Sequence, residues 1–260
     1  MLTLFARNLL EGATVTASGD VARLYDRDGA VLWKPALPQI WKLNDILPLA
    51  LALGPITPVP FDIDIDLGSA QQVSDWAMVN PKVDALVTLK AGSSFPASTT
   101  IDSVTPSGTF LRSFTPATFR YWRVHVDAGS YVPTIGELLL GVPRRIQLNP
   151  ILESAGRQIV GNVVRDPSPT GRLYTTKRGP ARTRLAFSWN WMDATDYAEL
   201  LAAFSETDEG AKSLLVEDEL GVSRWMQIVN QTLEPVPVSG PDSPSGETIA
   251  VPLTLEEVPA

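Results

Sequence analysis

The most regular alternation of apolar and polar residues lies in the stretch FDIDIDL, at positions 61–67. Side chains alternate between the two faces of a strand, so a period of two sends the apolar residues to one face and the aspartates to the other. The pattern therefore predicts a strand with one face in a core and one face in water. The three aspartates are Asp62, Asp64 and Asp66.

A row of aspartates also begins an EF-hand calcium loop, but the residues that follow do not fit one. Such a loop needs Gly directly after the third acid and Glu at its twelfth position, where this chain has Leu67 and Val73. A catalytic pair of carboxylates needs environments that drive two pKa values apart, and three like acids on one wet face provide none. The half-exposed strand is the favoured interpretation.

Short apolar stretches separated by turn residues continue through residues 1–142. The turn sequences DRDG, GPITPVP, PASTT and TPSG lie between them. This succession predicts a first domain, residues 1–142, that is an all-β sandwich. The stretches interpreted as strands are VTAS, AVLWK, FDIDIDL, ALVTLKA, YWRVHV and GELLLG.

Beyond residue 143 the chain becomes poorer in aromatic residues and contains the breaker sequence DPSPTG. One helix, residues 193–205, is predicted, because Asp193 can cap a helix and apolar residues then recur at helical spacing. The stretches SLLVEDEL and ETIAVPLTLEEV predict further strands. The second domain, residues 143–260, is thus expected to be β-rich with one helix. The apolar helix residues are Tyr197, Leu200, Leu201 and Phe204. The helix is expected to pack on a β-barrel through Tyr197, Leu201 and Phe204.

Composition excludes several classes of protein. The formal net charge of -8 repels phosphate backbones, so nucleic acid is not an expected partner. There is no cysteine, which excludes disulfides and thiolate metal sites. The opening MLTLFARNLL lacks signal-peptide features and ILPLALALGPI is too short to span a bilayer, so we expect a soluble protein made in the cytoplasm, without membrane insertion.

Catalytic constellations are scarce in this sequence. His125 is the single histidine, and its place in YWRVHV favours a structural role with a hydrogen-bond partner. No phosphate-binding glycine motif or nucleophile elbow occurs. We therefore predict that the protein is not an enzyme, although glycoside hydrolysis by two carboxylates stays open because such a pair need not be close in sequence.

Tryptophans offer a binding interpretation, since an amphipathic aromatic face suits a sugar ring. Most tryptophans in a sandwich belong to the core, and that is the expectation for Trp76 and Trp122. Trp33 and Trp41 flank loops and are the candidates for carbohydrate binding.

The first domain resembles discoidin, or coagulation factor 5/8 type C, domains. The resemblance lies in NLLEGATVTAS, LYDRDGAVLWKP, FDIDIDLGSAQQVSDWAMVN and YWRVHV followed by PTIGELLLG, in this order. It implies a galactose-binding-like jelly-roll sandwich. Where such domains bind calcium, the ion lies in the Asp-containing loop before the Trp, which holds Asp26 and Asp28 here. The family's disulfide is missing, which favours a microbial or viral version.

The second domain is similar to distal-tail and tail-tube modules of long-tailed phages. The similarity lies in FSWNW, DYAELLAAF, KSLLVEDELGVSRWMQIVNQTLEPVPV and ETIAVPLTLEEV. It implies a β-barrel module that closes into a homo-oligomeric ring, commonly a hexamer, beside tail-tube, hub and fibre proteins. Residues from about 150 onward are expected to suffice for the ring, with SLLVEDEL and ETIAVPLTLEEV offering free edges. The ring module usually comes first, whereas the order predicted here places it after the sandwich.

The leading hypothesis from the sequence is a non-enzymatic structural protein of a phage or phage-like tail tip. It would be made in the host cytoplasm and reside in the virion, and its outward sandwich would hold fibres or contact host saccharides. The alternative is a carbohydrate-binding protein without a role in tail assembly. A carboxylate-based glycosidase is the third possibility.

Overall fold

The computed structural model describes residues 1–17, 21–25, 60–130, 132–146, 156–161, 163–167, 173–177, 181–218, 220–230, 233, 236–238 and 248–258. These residues form antiparallel sheets and one α-helix, so the predicted fold class, mainly β with a single helix, is confirmed. The chain divides into two compact units. The sandwich unit is Arg7–Pro143, and the split unit combines Met1–Ala6 with Arg144–Pro259.

The sandwich unit contains a six-stranded sheet in the order β2-β3-β6-β4-β5, with β7 also paired to β3. Its strands are β2 (Thr14–Thr16), β3 (Phe61–Val79), β4 (Val87–Gly92), β5 (Thr99–Val104), β6 (Phe110–Val126) and β7 (Glu137–Gly141). Two short 3-10 turns, Leu9–Gly12 and Val21–Leu24, precede β3.

Strands β3 and β6 are much longer than the predicted FDIDIDL and YWRVHV, and they pair with each other over both of their halves. Shifts in register lie between Asp66 and Gln71 and again between Val73 and Asp75. Bulges of this kind bend strands, and both halves of β3 contribute to one core. Trp76 and Trp122 are fully buried in that core, as expected from the sequence.

Asn8 fastens the start of the sandwich unit to β7. Its Nδ2 donates to the carbonyl oxygen of Leu138 at 2.8 Å, and its Oδ1 accepts from the backbone amides of Leu10 and Leu140, both at 3.2 Å. Asn8 is only 4% exposed, so these groups would be buried without partners if the amide were removed.

The split unit contains an eight-stranded sheet in the order β8-β1-β13-β14-β16-β12-β9, with β15 also paired to β16. A separate two-stranded sheet joins β10 and β11. The strands are β1 (Leu2–Phe5), β8 (Arg144–Ile146), β9 (Gly156–Val160), β10 (Val163–Pro167), β11 (Leu173–Lys177), β12 (Arg182–Met192), β13 (Ser213–Glu217), β14 (Ser223–Ile228), β15 (Val236–Val238) and β16 (Thr248–Glu257).

Two expectations about this unit are wrong. SLLVEDEL and ETIAVPLTLEEV do not offer free edges, because β13 lies between β1 and β14 and β16 lies between β14 and β12. A fragment from residue 150 onward would not be a complete module, because it lacks β1 and β8, and β1 pairs with β13. The ends of the described sheet are β8 and β9.

The predicted helix is confirmed as α1 (Ala194–Glu206). Asp193 caps it, and its Oδ1 accepts from the backbone amide of Asp196 at 2.7 Å. Leu200 and Ala203 are fully buried, whereas Leu201, which was expected to pack on the barrel, is 38% exposed. Leu200 and Ala203 are three residues apart and share the buried face of the helix, whereas Leu201 lies outside that face.

Tyr197 and Phe204 pack on the core of the split unit, as predicted, and are partly buried. The helix is followed by residues with positive φ, ending at Gly210 with φ +87, where an added Cβ would lie 2.8 Å from the carbonyl oxygen of Ile228. Glycine is therefore required there. In the described part of the chain, no helix is both long enough and apolar enough to cross a bilayer.

We expect Asn8→Ala to lower the free energy of unfolding by about 3 kcal/mol, because three hydrogen bonds are lost and buried backbone amides are left unpaired. Urea denaturation of the full chain measures this change. Gln72→Ala, at an exposed position of β3, is the control and should change stability by less than about 0.5 kcal/mol. Equal stability of the two variants would show that Asn8 does not anchor β7.

Candidate functional site

The solvent-facing side of the β3–β6 pair carries the aspartates that alternate with apolar residues in FDIDIDL, together with charged residues of β6. Asp62 lies opposite His125, Asp64 opposite Arg123 and Asp66 opposite Tyr121. The intervening Ile63, Ile65 and Leu67 are buried, so the predicted half-exposed strand is confirmed. We call this surface the charged face. It comprises Asp62, Asp64, Asp66, Arg120, Tyr121, Arg123, His125 and Asp127.

Two arginines of β6 bind the three aspartates. Arg123 donates through Nε and Nη2 to both carboxylate oxygens of Asp64, at 2.6 and 2.7 Å, and through Nη1 to Asp62 at 2.7 Å. Arg120 donates through Nε and Nη2 to Asp66, at 2.7 and 2.8 Å. Bidentate pairs of this kind fix the geometry of both side chains. The row of acids is therefore a set of ion pairs between neighbouring strands.

The pair with Arg120 also affects the protonation of Asp66. The hydrogen bond from Arg120 holds the pKa of Asp66 below its ordinary value, with a smaller contribution from the backbone amide of Gly68. The same contact raises the pKa of Arg120. A carboxylate that stays ionised in this way cannot serve as a general acid near neutral pH.

His125 lies between two carboxylates. Its Nδ1 is 2.6 Å from Oδ1 of Asp62, and its Nε2 is 3.1 Å from Oδ1 of Asp127. Both ring nitrogens are thus engaged, so His125 has the hydrogen-bond partner that the sequence predicts, while its structural role stays a prediction. Neither contact is with a Ser, Thr or Cys side chain, so these three residues do not form a nucleophile–base pair.

Aromatic side chains border one end of the charged face. The rings of Phe95 and Tyr121 have centroids 4.6 Å apart and are tilted by 53°. The guanidinium carbon of Arg120 lies 4.9 Å from the centroid of the Tyr121 ring. Phe95 is 42% exposed, although large apolar side chains are usually buried. This end combines an accessible aromatic ring with an arginine–aspartate pair, and we call it the aromatic end.

The site residues proposed from the sequence do not contribute to this description. Trp33, Trp41, Asp26 and Asp28 lie outside the described residues. The sequence does not indicate Phe95, because it lies directly before the turn sequence PASTT and outside every stretch predicted to be a strand. The alternation in YWRVHV does place Tyr121, Arg123 and His125 on one face, so this part of the site could have been found.

The described part of the chain offers no metal centre, since it contains no cluster of three His, Cys, Asp or Glu side chains that could hold an ion. The charged face and its aromatic end present groups that can contact a ligand. Its carboxylates keep lone pairs that can accept from ligand hydroxyls, and the exposed ring at the aromatic end supplies an apolar surface.

Comparisons with known proteins give structural likenesses alone. No family model matches the chain, and no curated protein matches it. The CBM32 of AlyQ, in complex with 4,5-unsaturated mannuronic acid, is 20% identical over 49% of this chain and 92% of that one, with a TM-score of 0.35. Chitosan-binding module 1 of a chitosanase/glucanase from Paenibacillus sp. IK-5 is 22% identical over 52% of this chain and 99% of that one, with a TM-score of 0.39.

A third similar structure is CpGH89CBM32-5 from Clostridium perfringens, in complex with GalNAc-beta-1,3-galactose. It is 13% identical over 52% of this chain and all of that one, with a TM-score of 0.38.

We expect Arg120→Gln to make the protein less stable at neutral pH and to have little effect in acid. The lowered pKa of Asp66 contributes stability above the ordinary carboxyl pKa of 3.8, and this contribution is lost as the pH falls through the lowered value. Thermal unfolding at a series of pH values measures the difference between the wild type and the variant. Lys82→Gln removes the same charge at an exposed position and is the control. A difference that stays constant down to strong acid would contradict the Asp66–Arg120 linkage.

Proposed function

We propose that the sandwich unit binds saccharides at the aromatic end of the charged face. The observation that carries the proposal is the exposed ring of Phe95 against Tyr121, next to the Arg120–Asp66 pair. The resemblance of residues 1–142 to discoidin domains, which have a galactose-binding-like fold, supports the same class of ligand.

The chemistry of a sugar fits this arrangement. One face of a pyranose is lined by C–H groups and stacks on an aromatic ring, while its hydroxyls need donors and acceptors at the rim. Phe95 supplies the ring, and Asp66 and Arg120 supply acceptors and donors that are already held in place. Because their geometry is fixed by the bidentate pair, a ligand would not have to order these side chains when it binds.

We expect Phe95→Ala to weaken saccharide binding about tenfold or more, since an aromatic contact contributes roughly 1 kcal/mol or more beyond its buried area. A glycan array with the full chain identifies a ligand, and titration calorimetry then measures its affinity. Leu86→Ala is the matched control, because Leu86 is 43% exposed in the same unit. Binding that survives Phe95→Ala, or that is lost equally in the control, would contradict this site.

We further propose that the protein binds without turnover. On the charged face, Asp64 and Asp66 form bidentate ion pairs with arginines, and Asp62 contacts Arg123 and His125, so each carboxylate is already engaged by a side chain of β6. A glycosidase needs two carboxylates that are free to contact the scissile bond. Prolonged incubation with a bound oligosaccharide, followed by chromatography, should return it intact. If the wild type cleaves the oligosaccharide and a single Asp or Glu substitution abolishes the cleavage, the protein is a glycosidase instead.

A second proposed function is assembly of a phage or phage-like tail tip through the split unit. One observation favours it. The sandwich unit is inserted between β1 and β8 of the split unit, so the split unit is not a module that simply follows the sandwich. In this proposal the full chain forms a closed homo-oligomeric ring, with tail-tube, hub and fibre proteins as partners. Analytical ultracentrifugation tests it, since a monomer at high concentration would contradict a ring.

A further inference from the structure

Four consecutive strands of the split unit form two antiparallel pairs, one of which belongs to its eight-stranded sheet. Strand β9 pairs with β12, with Val160 opposite Arg182, and β10 pairs with β11, with Val163 opposite Lys177. Both pairs are antiparallel, and β10 follows β9 as β12 follows β11. The four strands are therefore the two halves of one hairpin, whose inner half, β9–β12, joins the sheet. We call the outer half, β10–β11, the arm.

The arm has no further strand partner in the described part of the chain, since β10 and β11 pair only with each other. An isolated two-stranded ribbon is marginally stable in water and gains stability when another strand covers one of its edges. A strand that is paired on one side has backbone amides and carbonyls on its other side that can pair with a further strand.

Strand β9 ends the described sheet and pairs only with β12. It lacks most of the devices that protect an edge, having no proline and no bulge in its pairing with β12. Arg157, Gln158 and Ile159 are all exposed, and Ile159 is 76% exposed, which is unusual for an isoleucine in a strand.

The opposite edge of the sheet is protected. Strand β8 has only three residues, two of them arginines. Arg144 donates to Glu199 at 3.1 Å and to Glu206 at 2.5 Å, and both acids belong to α1. A short, charged edge strand tied to a helix is poorly suited to pairing with another chain. Among the described strands, β9 is therefore the end of this sheet that is suited to pairing with a further strand.

We propose that the arm of one copy adds its strand β11 to the edge strand β9 of a second copy. This inference rests on the assembly role proposed above and names the surfaces that carry it. The two strands each have five residues, so they can pair along their whole length. The contact joins two different surfaces, and a heterologous contact repeats from copy to copy until it closes into a ring.

Two variants of the full chain separate the two surfaces. Ile159→Lys places a charge on the edge strand and keeps the arm. The arm-deleted variant replaces residues 163–177 with an Asn-Gly turn, which suits a hairpin, and keeps β9. We expect the wild type to be oligomeric and each variant alone to be monomeric by light scattering, with circular dichroism and melting temperature showing that both are folded.

Mixing the variants is the decisive experiment. The Ile159→Lys chain supplies an arm and the arm-deleted chain supplies an edge, so the mixture should form a heterodimer and nothing larger. Leu220→Lys is the matched control, because Leu220 is 79% exposed at the turn between the inner strands β13 and β14. It should leave the wild-type oligomer intact.

Each outcome has a distinct meaning. A monomeric wild type would overturn both this inference and the proposed ring. An oligomer that persists in both variants, or that the control dissociates equally, would overturn the assignment to β9 and the arm while leaving the ring in place. Monomeric variants that fail to form a heterodimer when mixed would overturn the pairing of β11 with β9.

Discussion

The pairing of β3 with β6 is the interaction on which the sandwich unit depends. The side-chain period of two sends Ile63 and Ile65 into the core with Trp122, and it sends three aspartates to the opposite face. Three like charges at every second position of one strand repel each other, so the sheet requires cations on the neighbouring strand. Arg120 and Arg123 provide them, and the charged face exists because of that requirement.

The same strands change character beyond the bulge. From Val73 to Val79 every residue of β3 is buried, including Ser74 and Asp75. Asp75 accepts from the hydroxyls of Ser74 and Ser113, both at 2.5 Å, so the buried carboxylate has hydrogen-bond partners. Alternation is lost there because both faces are covered. Strand β3 thus has a first half with one solvent-exposed face, where function is proposed, and a second half that is buried in the core.

The sequence could predict what short-range pattern determines. The alternation at 61–67 identified the charged face, and Asp193 with its helical spacing identified α1, since both signals lie within a few residues. The length of β3 could not be predicted, because QQVSDWAMV has no alternation once both faces are buried. Strand β1 has four buried residues, and its partners lie far along the chain, so no local pattern indicates its place. The contact of Phe95 with Tyr121 could not be predicted either, because the two residues are far apart in the sequence.

The place of β1 also explains how the sandwich unit can be inserted without disturbing its host. Because β1 and β8 are antiparallel neighbours, with Leu4 opposite Arg144, the chain leaves the sheet and returns to it at adjacent points. An insertion whose two ends are close together imposes little strain on the host. This exit lies at the β8 edge of the sheet, whereas β9 ends the other side. The two ends of the described sheet therefore differ, since β8 follows the point where the chain returns to the sheet and β9 has no second strand partner among the described residues. The order of the strands, more than any single residue, separates these two ends.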